Sequence, residues 1–106
     1  PGGAAEKDKD QRLPLHCAIK EGAPVEVVRA LLEAHPGGAA EEDKKQNLPL
    51  HWAAWKGAPV EVVRALLEAH PGGAAEKDKD QRLPLHCAIK EGAPVEVVRA
   101  LLEAHP

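Results

Sequence analysis

The fold follows from one stretch, LPLHCAIKEGAPVEVVRALLEAHP, which occupies residues 13–36 and returns almost unchanged at residues 48–71 and 83–106. With the segment that precedes it, the stretch makes a repeat of 35 residues: residues 1–35 and 71–105 are identical, and residues 36–70 differ at seven positions. A period of this length is typical of a solenoid, in which each unit buries its apolar face against its neighbours. The sequence therefore predicts one domain, residues 1–106, built from three stacked repeats.

Each repeat contains two helical patterns. Pro14 suits the first position of a helix, and apolar side chains follow at helical spacing up to Ile19. Gly22 ends this helix after about two turns. Pro24 starts a second helix, whose apolar stripe is formed by Val27, Val28, Leu31 and Leu32. The PGGAA segment and the charged run before the first helix predict an exposed loop, so the fold class is all-α.

The order of these motifs resembles an ankyrin repeat. The first copy reads Leu13-Pro14-Leu15-His16 with Ala18 close behind, then Gly22, then a Val-Val-x-x-Leu-Leu-Glu-Ala run. The motif recurs at Leu48-Pro49-Leu50-His51 and Leu83-Pro84-Leu85-His86, so the resemblance covers essentially the whole chain. It implies a helix-turn-helix solenoid of three stacked repeats with connecting turn loops, curved so that its concave face binds other proteins.

The chain departs from the family pattern in ways that concern the turns. Leu13 stands where the family has Thr, which removes a capping hydroxyl that contributes typically about 1 kcal/mol. Gln11, Gln46 and Gln81 stand where the family has a turn Gly, so a left-handed backbone is less favourable there. One extra residue lies around Ala23-Pro24 and another lies in the following loop, which lengthens the repeat from about 33 residues. We expect the turn before the first helix to be the least regular part of the fold.

The first group of differences between the middle and outer repeats concerns packing. Cys17 and Ile19 of the first repeat become Trp52 and Ala54, an exchange of large and small side chains on one helix. Interiors tolerate exchanges that conserve volume best. We interpret Trp52 as a structural filler between neighbouring repeats, whose indole N–H needs an acceptor if it is buried.

The second group points to a binding surface. By the resemblance, four changed residues fall where ankyrin repeats contact partners: Lys45, Asn47, Trp55 and Lys56. A Trp among Lys and Asn is typical of an interface anchor with a polar rim. The outer repeats carry Lys20 and Lys90 at the position of Trp55, and we place both around the same surface. The alternative is that Trp55 only covers exposed apolar area or serves as a fluorescent reporter.

The six histidines suggest metal binding at first, but their spacing argues against it. Successive members lie one repeat apart, too far for a shared ion. His16, His51 and His86 occupy the Pro-Leu-His position, where the resemblance implies structural hydrogen bonds to the turn backbone. The other three histidines end the second helix of each repeat, where a ring can bond to the free carbonyls and interact favourably with the helix dipole. They are His35, His70 and His105.

Composition argues against several functional classes. The chain has no Ser or Thr, and neither Cys17 nor Cys87 comes with an orienting group, so we predict no enzyme and no cofactor. The formal charge of −3 comes from interleaved charges, which disfavours nucleic acid and anionic membranes as partners. The charged run at residues 41–45 is interpreted as solvated surface. No apolar run reaches the roughly 20 residues that a membrane span needs.

The two thiols and the first residue bear on the compartment. Cys17 and Cys87 lie two repeats apart, which exceeds the reach of a disulfide, so we expect free thiols in a reducing compartment such as the cytoplasm. The chain begins at Pro1, and no targeting segment can be recognised in it.

Both ends of the array keep the interior apolar pattern instead of a polar cap. The unchanged residues are Leu15, Val27, Val28, Leu31 and Leu32 in the first repeat and Leu85, Val97, Val98, Leu101 and Leu102 in the third. The third repeat of one molecule can therefore dock on the first repeat of the next, head to tail. We predict a non-enzymatic protein-binding scaffold, with a self-assembling module as the alternative. Two identical repeats and the absence of Ser, Thr, Phe, Tyr and Met favour consensus design or recent duplication.

Overall fold

The computed structural model describes residues 3–105, and this part of the chain is helical without a strand. Each repeat supplies a short helix and a longer one. The helices are α1 (Pro14–Lys20), α2 (Val25–Ala34), α3 (Pro49–Trp55), α4 (Val60–Ala69), α5 (Pro84–Lys90) and α6 (Val95–Ala104). The predicted all-α helix-turn-helix solenoid is confirmed.

The helices form two rows with the core between them. The short helices α1, α3 and α5 pack side by side in one row, and α2, α4 and α6 form the other. Each short helix also contacts the long helix of its own repeat. The predicted apolar stripes meet in this core, which includes Leu13, Ile19, Val28, Leu48, Val63, Leu66, Cys87, Val97 and Leu101. None of the helices within residues 3–105 is long and apolar enough to cross a membrane.

The helix boundaries follow the predicted signals with one small shift. Pro14 is the first residue of α1, and Gly22 has a φ of +80° just after that helix, which a residue with a Cβ adopts only with strain. Pro24 is the residue before α2 rather than its first residue. The extended backbone of Pro24 accommodates the extra residue between the two helices, so neither helix is interrupted.

The PGGAA segments are partly buried, which corrects the expectation of a wholly exposed loop. Pro36–Ala40 and Pro71–Ala75 form 3₁₀ turns. Gly38 and Ala39 are buried in the first of these turns, and the equivalent residues are buried in the second. A Cβ built on Gly38 would lie 3.4 Å from Leu13 Cδ1, so the turn folds closely against the start of α1. Small residues are therefore needed there for packing as well as for turning.

The turn before each short helix contains the predicted backbone strain. Gln11, Gln46 and Gln81 have φ angles of 60°, 64° and 66°, in the left-handed region. The Cβ of an L-residue makes this conformation unfavourable by roughly 1–2 kcal/mol. The glutamines are therefore suboptimal in this turn.

Replacing Gln46 by Gly should raise the free energy of unfolding by about 0.5–1 kcal/mol, because removal of the Cβ strain exceeds the added entropy of the unfolded chain. Urea denaturation followed by circular dichroism measures the change. Gln46→Ala keeps the Cβ and serves as the control, for which we expect no gain. Equal gains in the two variants would show that backbone strain is not the cause.

Candidate functional site

Two buried histidines tie each repeat to the next. His16 Nδ1 accepts a hydrogen bond from the Leu13 N–H (2.9 Å), and His16 Nε2 donates to the Glu41 carbonyl oxygen (3.0 Å). His51 makes the corresponding pair of bonds in the middle repeat, with its Nε2 donating to the Arg82 carbonyl oxygen (3.0 Å). The first bond of each pair satisfies the N–H of the residue that precedes the helix, whereas no side chain makes the bond to the first turn that the missing hydroxyl would make. The structural role implied for these histidines is present in the structure.

These bonds require neutral rings with the proton on Nε2. Burial lowers the pKa of His16 and His51, because a protonated ring would lose its hydration. As the pH falls through about 6.5, the unfolded chain therefore takes up protons before the folded one does. The stability that the neutral rings confer is complete above that pH and is lost below it.

We accordingly expect the free energy of unfolding to be constant between about pH 7 and pH 8, where neither the histidines nor the Cys87 thiol titrate, and to fall as the pH drops from 7 to 5.5. Urea titrations at half-unit pH intervals measure this profile. His86→Gln is a suitable control, because that ring is exposed and both buried rings remain in place. A flat profile down to pH 5.5 would contradict the assignment.

His35 and His70, which follow α2 and α4, bond to carboxylates instead of the expected carbonyls. His35 Nε2 lies 2.6 Å from Glu41 Oε2, and His70 Nε2 lies 2.5 Å from Glu76 Oε2. The hydrogen bond to His35 is the main cause that lowers the pKa of Glu41. The 3₁₀ turn after each of these long helices brings the Glu carboxylate of the next loop within hydrogen-bonding distance of the histidine ring.

Asp43 organises the turn of the middle repeat, and the sequence analysis missed it. Its Oδ1 accepts the backbone N–H groups of Lys45 and Asn47, and its Oδ2 accepts the indole N–H of Trp52 at 2.9 Å. The side chain is buried, so the charged run at residues 41–45 is not wholly solvated surface. The signal was available, since every repeat has Asp five residues before its Leu-Pro-Leu-His motif.

The equivalent aspartate of the third repeat, Asp78, has a different partner. Asp78 Oδ2 accepts from Arg82 Nε at 3.1 Å, at the position where the middle repeat has Asn. Burial opposes ionisation of Asp78, but the backbone N–H groups of Arg82 and Asp80 and the Arg82 guanidinium outweigh it and lower the pKa. In the middle repeat Asn47 stands in place of this Arg, so the carboxylate of Asp43 is free to accept from the indole of Trp52. The change from Arg to Asn therefore makes room for the bond that the change from Cys to Trp introduces.

The two tryptophans pack against each other at the surface. Their rings meet edge to face, with centroids 5.4 Å apart. The Arg82 guanidinium lies 4.8 Å from the centre of the Trp55 ring, and Lys20 Nζ lies 5.8 Å from that of Trp52. Trp52 is half-buried and packs against the core, and Asp43 is the acceptor that its indole N–H needs; the exposed part of its ring lies beside Trp55.

A groove with a cavity volume of about 470 Å³ opens over this pair. All three repeats line it: Asp10 and Arg12 from the first, Asp43, Lys44, Lys45, Asn47, Trp52, Trp55 and Lys56 from the middle, and Asp78, Asp80 and Arg82 from the third. The middle repeat therefore supplies its floor and the outer repeats its two ends.

The structure brings four of the six residues singled out from the sequence into this groove. Lys45, Trp55 and Lys56 line it. Asn47 also lines it but is only 4% exposed, so it belongs to the floor rather than to a polar rim. Lys20 lies beside the groove over Trp52, whereas Lys90 is exposed at the end of α5 and outside the lining.

The thiols and histidines do not form a second chemical site in the described residues. Cys17 and Cys87 are free, and burial raises the pKa of Cys87 to about 11, which makes its thiol unreactive. Between residues 3 and 105, no three His, Cys, Asp or Glu side chains come together as a potential metal cluster.

Comparison with known proteins gives one finding. A family model described as ankyrin repeats (3 copies) matches residues 2–80 and, overlapping them, residues 43–106. A search of curated proteins found no match.

Proposed function

Because the chain belongs to the ankyrin-repeat family, whose members are generally non-catalytic modules for protein–protein interaction, we propose that it is a non-enzymatic binding scaffold with its partner surface in the groove around Trp55. We treat residues 1–106 as one domain with repeats 1–35, 36–70 and 71–105. The identical outer repeats and the narrow residue alphabet support a consensus or designed origin. The observation that carries the proposal is a half-exposed tryptophan pair inside a groove that spans three repeats.

Trp55 has the properties of an anchor. Its ring is held between Trp52 on one side and the Arg82 guanidinium on another, so little side-chain entropy remains to be lost on binding. Interface hot spots are enriched in Trp and Arg that lie near the centre of the contact. An apolar or aromatic side chain of a partner can therefore pack on the exposed part of this ring.

The charges around the groove favour an acidic partner. Arg12 pairs with Asp10, and Arg82 pairs with Asp80, at the two ends of the groove. In contrast, the lysines of the middle repeat make no ion pair within residues 3–105; they are Lys44, Lys45 and Lys56. Carboxylates of a partner would complement these free cations and speed its association.

Asn47 places an unpaired acceptor beneath the groove rather than in it. Its Oδ1 is buried and has no hydrogen-bond partner among the described residues. A buried acceptor without a partner is unfavourable by roughly 1–3 kcal/mol. This oxygen has almost no accessible surface, so a partner in the groove does not reach it, and the partner is inferred from Trp55 and the lysines alone. We propose a partner segment with an apolar side chain flanked by Asp or Glu.

The test is a selection from a phage-displayed library of random peptides, followed by titration of the enriched peptides. The chain has two Trp and no Tyr or Phe, so its intrinsic fluorescence reports on this groove alone. We expect enriched peptides to carry an aromatic or large aliphatic residue beside carboxylates. Trp55→Ala should weaken their binding at least tenfold, in keeping with a hot spot of about 2 kcal/mol.

Four further variants distinguish contacts in the groove from the effect of overall charge. Lys56→Ala should weaken binding severalfold, whereas Arg64→Ala removes the same charge from α4 outside the groove and should have no effect. Lys20→Ala and Lys90→Ala should each change the affinity less than Lys56→Ala does. Peptides that bind the Trp55→Ala variant as tightly as the original chain would exclude the groove as the partner surface.

A second candidate function is self-association through the terminal repeats. It is favoured by large apolar side chains that are exposed on the first repeat, at Val27, and on the third, at Ile89 and Leu102. This candidate does not involve the groove, so the two functions can be tested separately.

A further inference from the structure

We propose that Arg82 selects a carboxylate of the partner beside Trp55, and that Asp80 holds the place of this carboxylate in the free chain. The inference rests on the proposed function of the groove and deepens it, because it names the residue that makes the groove specific and the contact that restrains binding. Asp80 thus acts as an internal competitor of the partner.

Arg82 lies where the charge of the groove meets its apolar anchor. The guanidinium is 4.8 Å from the centre of the Trp55 ring. The carbonyl oxygen of the same residue accepts from the buried His51 ring at 3.0 Å, and the rings of His51 and Trp55 are neighbours, with centroids 6.3 Å apart. The backbone of Arg82 is therefore tied to the middle repeat, and its side chain presents a positive charge directly beside the anchor.

Two aspartates hold the Arg82 side chain, and they differ in burial. Asp78 accepts from Nε at 3.1 Å, and its side chain is 1% exposed. Asp80 accepts from the guanidinium nitrogen Nη2, also at 3.1 Å, but its side chain is 72% exposed. An exposed ion pair contributes little to stability, because water screens it. Asp80 can therefore be displaced at small cost while Asp78 stays in place.

The guanidinium keeps enough donors for a partner carboxylate once Asp80 moves away. Arginine carries five N–H groups in one plane, and pairs of them match the two oxygens of a carboxylate. Asp78 uses the donor at Nε, and Asp80 uses one of those at Nη2. A carboxylate that takes the place of Asp80 can therefore bind the terminal nitrogens without disturbing the buried pair of Arg82 and Asp78.

The local charge explains why Asp80 competes with the partner instead of assisting it. Two negative charges, on Asp78 and Asp80, face the one positive charge of Arg82. A further carboxylate that approaches this arrangement is repelled, because like charges at short range raise the energy. When Asp80 leaves, the arriving carboxylate takes over its ion pair and the repulsion is removed. The exchange therefore favours partners that carry a negative charge next to their apolar side chain.

The other repeats show that the side chain of Asp80 is not needed for the turn. Lys45 stands at the same position in the middle repeat, and its N–H makes the same 2.9 Å bond to the buried aspartate of the turn. The position is also accessible between adjoining repeats: Asp10 pairs with Arg12 in the same way, and its side chain is 48% exposed although the middle repeat follows it. Asp80 can therefore be replaced without loss of the fold.

The first test needs no partner and measures the access of an anion to the tryptophans. Iodide is an anionic quencher of Trp fluorescence, and acrylamide is a neutral one. We expect Asp80→Asn to raise the ratio of the iodide to the acrylamide quenching constant about twofold, and Arg82→Gln to lower it about twofold. Glu68→Gln removes a negative charge from α4 outside the groove and should leave the ratio unchanged. Circular dichroism checks that the three variants fold.

The second test uses the peptides enriched in the selection, each synthesised with its carboxylates and again with these replaced by amides. Asp80→Asn should bind the carboxylate version about threefold more tightly than the original chain does. Arg82→Gln should bind the carboxylate version about tenfold more weakly and the amide version as well as the original chain does. This pattern isolates the pairing of charges, because a distorted groove would lose affinity for both versions.

The outcomes separate this inference from the proposed function. An unchanged or lower affinity of Asp80→Asn for the carboxylate version would overturn the inference, as would equal losses of Arg82→Gln for the two versions. In both cases Trp55→Ala still decides whether the groove is the partner surface. If the selection yields no peptide, the proposed function fails and the quenching ratios decide alone: opposite shifts in Asp80→Asn and Arg82→Gln support an anion site restrained by Asp80, and equal ratios overturn it.

Discussion

Replacing Ile19 by Ala is expected to lower the free energy of unfolding by about 2–4 kcal/mol, because the side chain is 2% exposed and its loss leaves a cavity between the first two repeats. Domains of this kind have only about 5–15 kcal/mol of stability in total, so the variant should unfold at a much lower urea concentration. Urea denaturation at low micromolar concentration, followed by far-ultraviolet circular dichroism, measures the loss.

The chain supplies its own matched control at Ile89. The flanking sequence is identical, but this side chain is 62% exposed in the monomer. Ile89→Ala should therefore change the stability by no more than about 0.5 kcal/mol, and the better helix propensity of Ala acts in its favour. Equal losses in the two variants in dilute solution would contradict the structural distinction between the first and third repeats.

His51→Ala is expected to remove about 3 kcal/mol, because it deprives two main-chain groups of their partners. The ring is fully buried and bridges the Leu48 N–H and the Arg82 carbonyl oxygen, and so joins the middle repeat to the third. An unsatisfied buried group is unfavourable by roughly 1–3 kcal/mol. Urea denaturation should show a lower midpoint, and a shallower slope would indicate that the third repeat unfolds separately.

His86→Ala tests whether the bridge or the local bond matters more. His86 occupies the same motif and accepts the same hydrogen bond from the Leu83 N–H, but its ring is exposed and makes no bond to another repeat within residues 3–105. We expect a loss of about 0.5–1 kcal/mol, the contribution of one hydrogen bond. A loss as large as that of His51→Ala would mean that capping within the repeat, not the bridge between repeats, carries the effect.

Much of the fold was predictable because its signals are local. Pro14 and Gly22 fix the ends of the first helix through backbone geometry, and the strain at Gln46 follows from the position of that residue in the motif. The spacing of the apolar residues also indicated which face of each helix enters the core. Such properties depend on a few neighbours in sequence, so they are visible without coordinates.

The candidate site was predictable only in part. The differences between repeats pointed to Trp55 and Lys56, but the roles of Asp43, Asn47 and Trp52 required the three-dimensional arrangement. Asp43 looked like one of many charged loop residues, although the turn buries it and aims its carboxylate at the Trp52 indole. Hydrogen-bond partners nine residues apart in an irregular turn have no periodic signature.

The sequence by itself determined the repeat, the two helices within it and the strained turn. It could not distinguish the first repeat from the third, since their residues are the same. Tertiary structure alone decided that Val27 is exposed and Val97 buried, and that Ile19 is buried and Ile89 exposed. The physical reason is that conformation is encoded largely within a repeat, whereas burial depends on which repeat lies next to it.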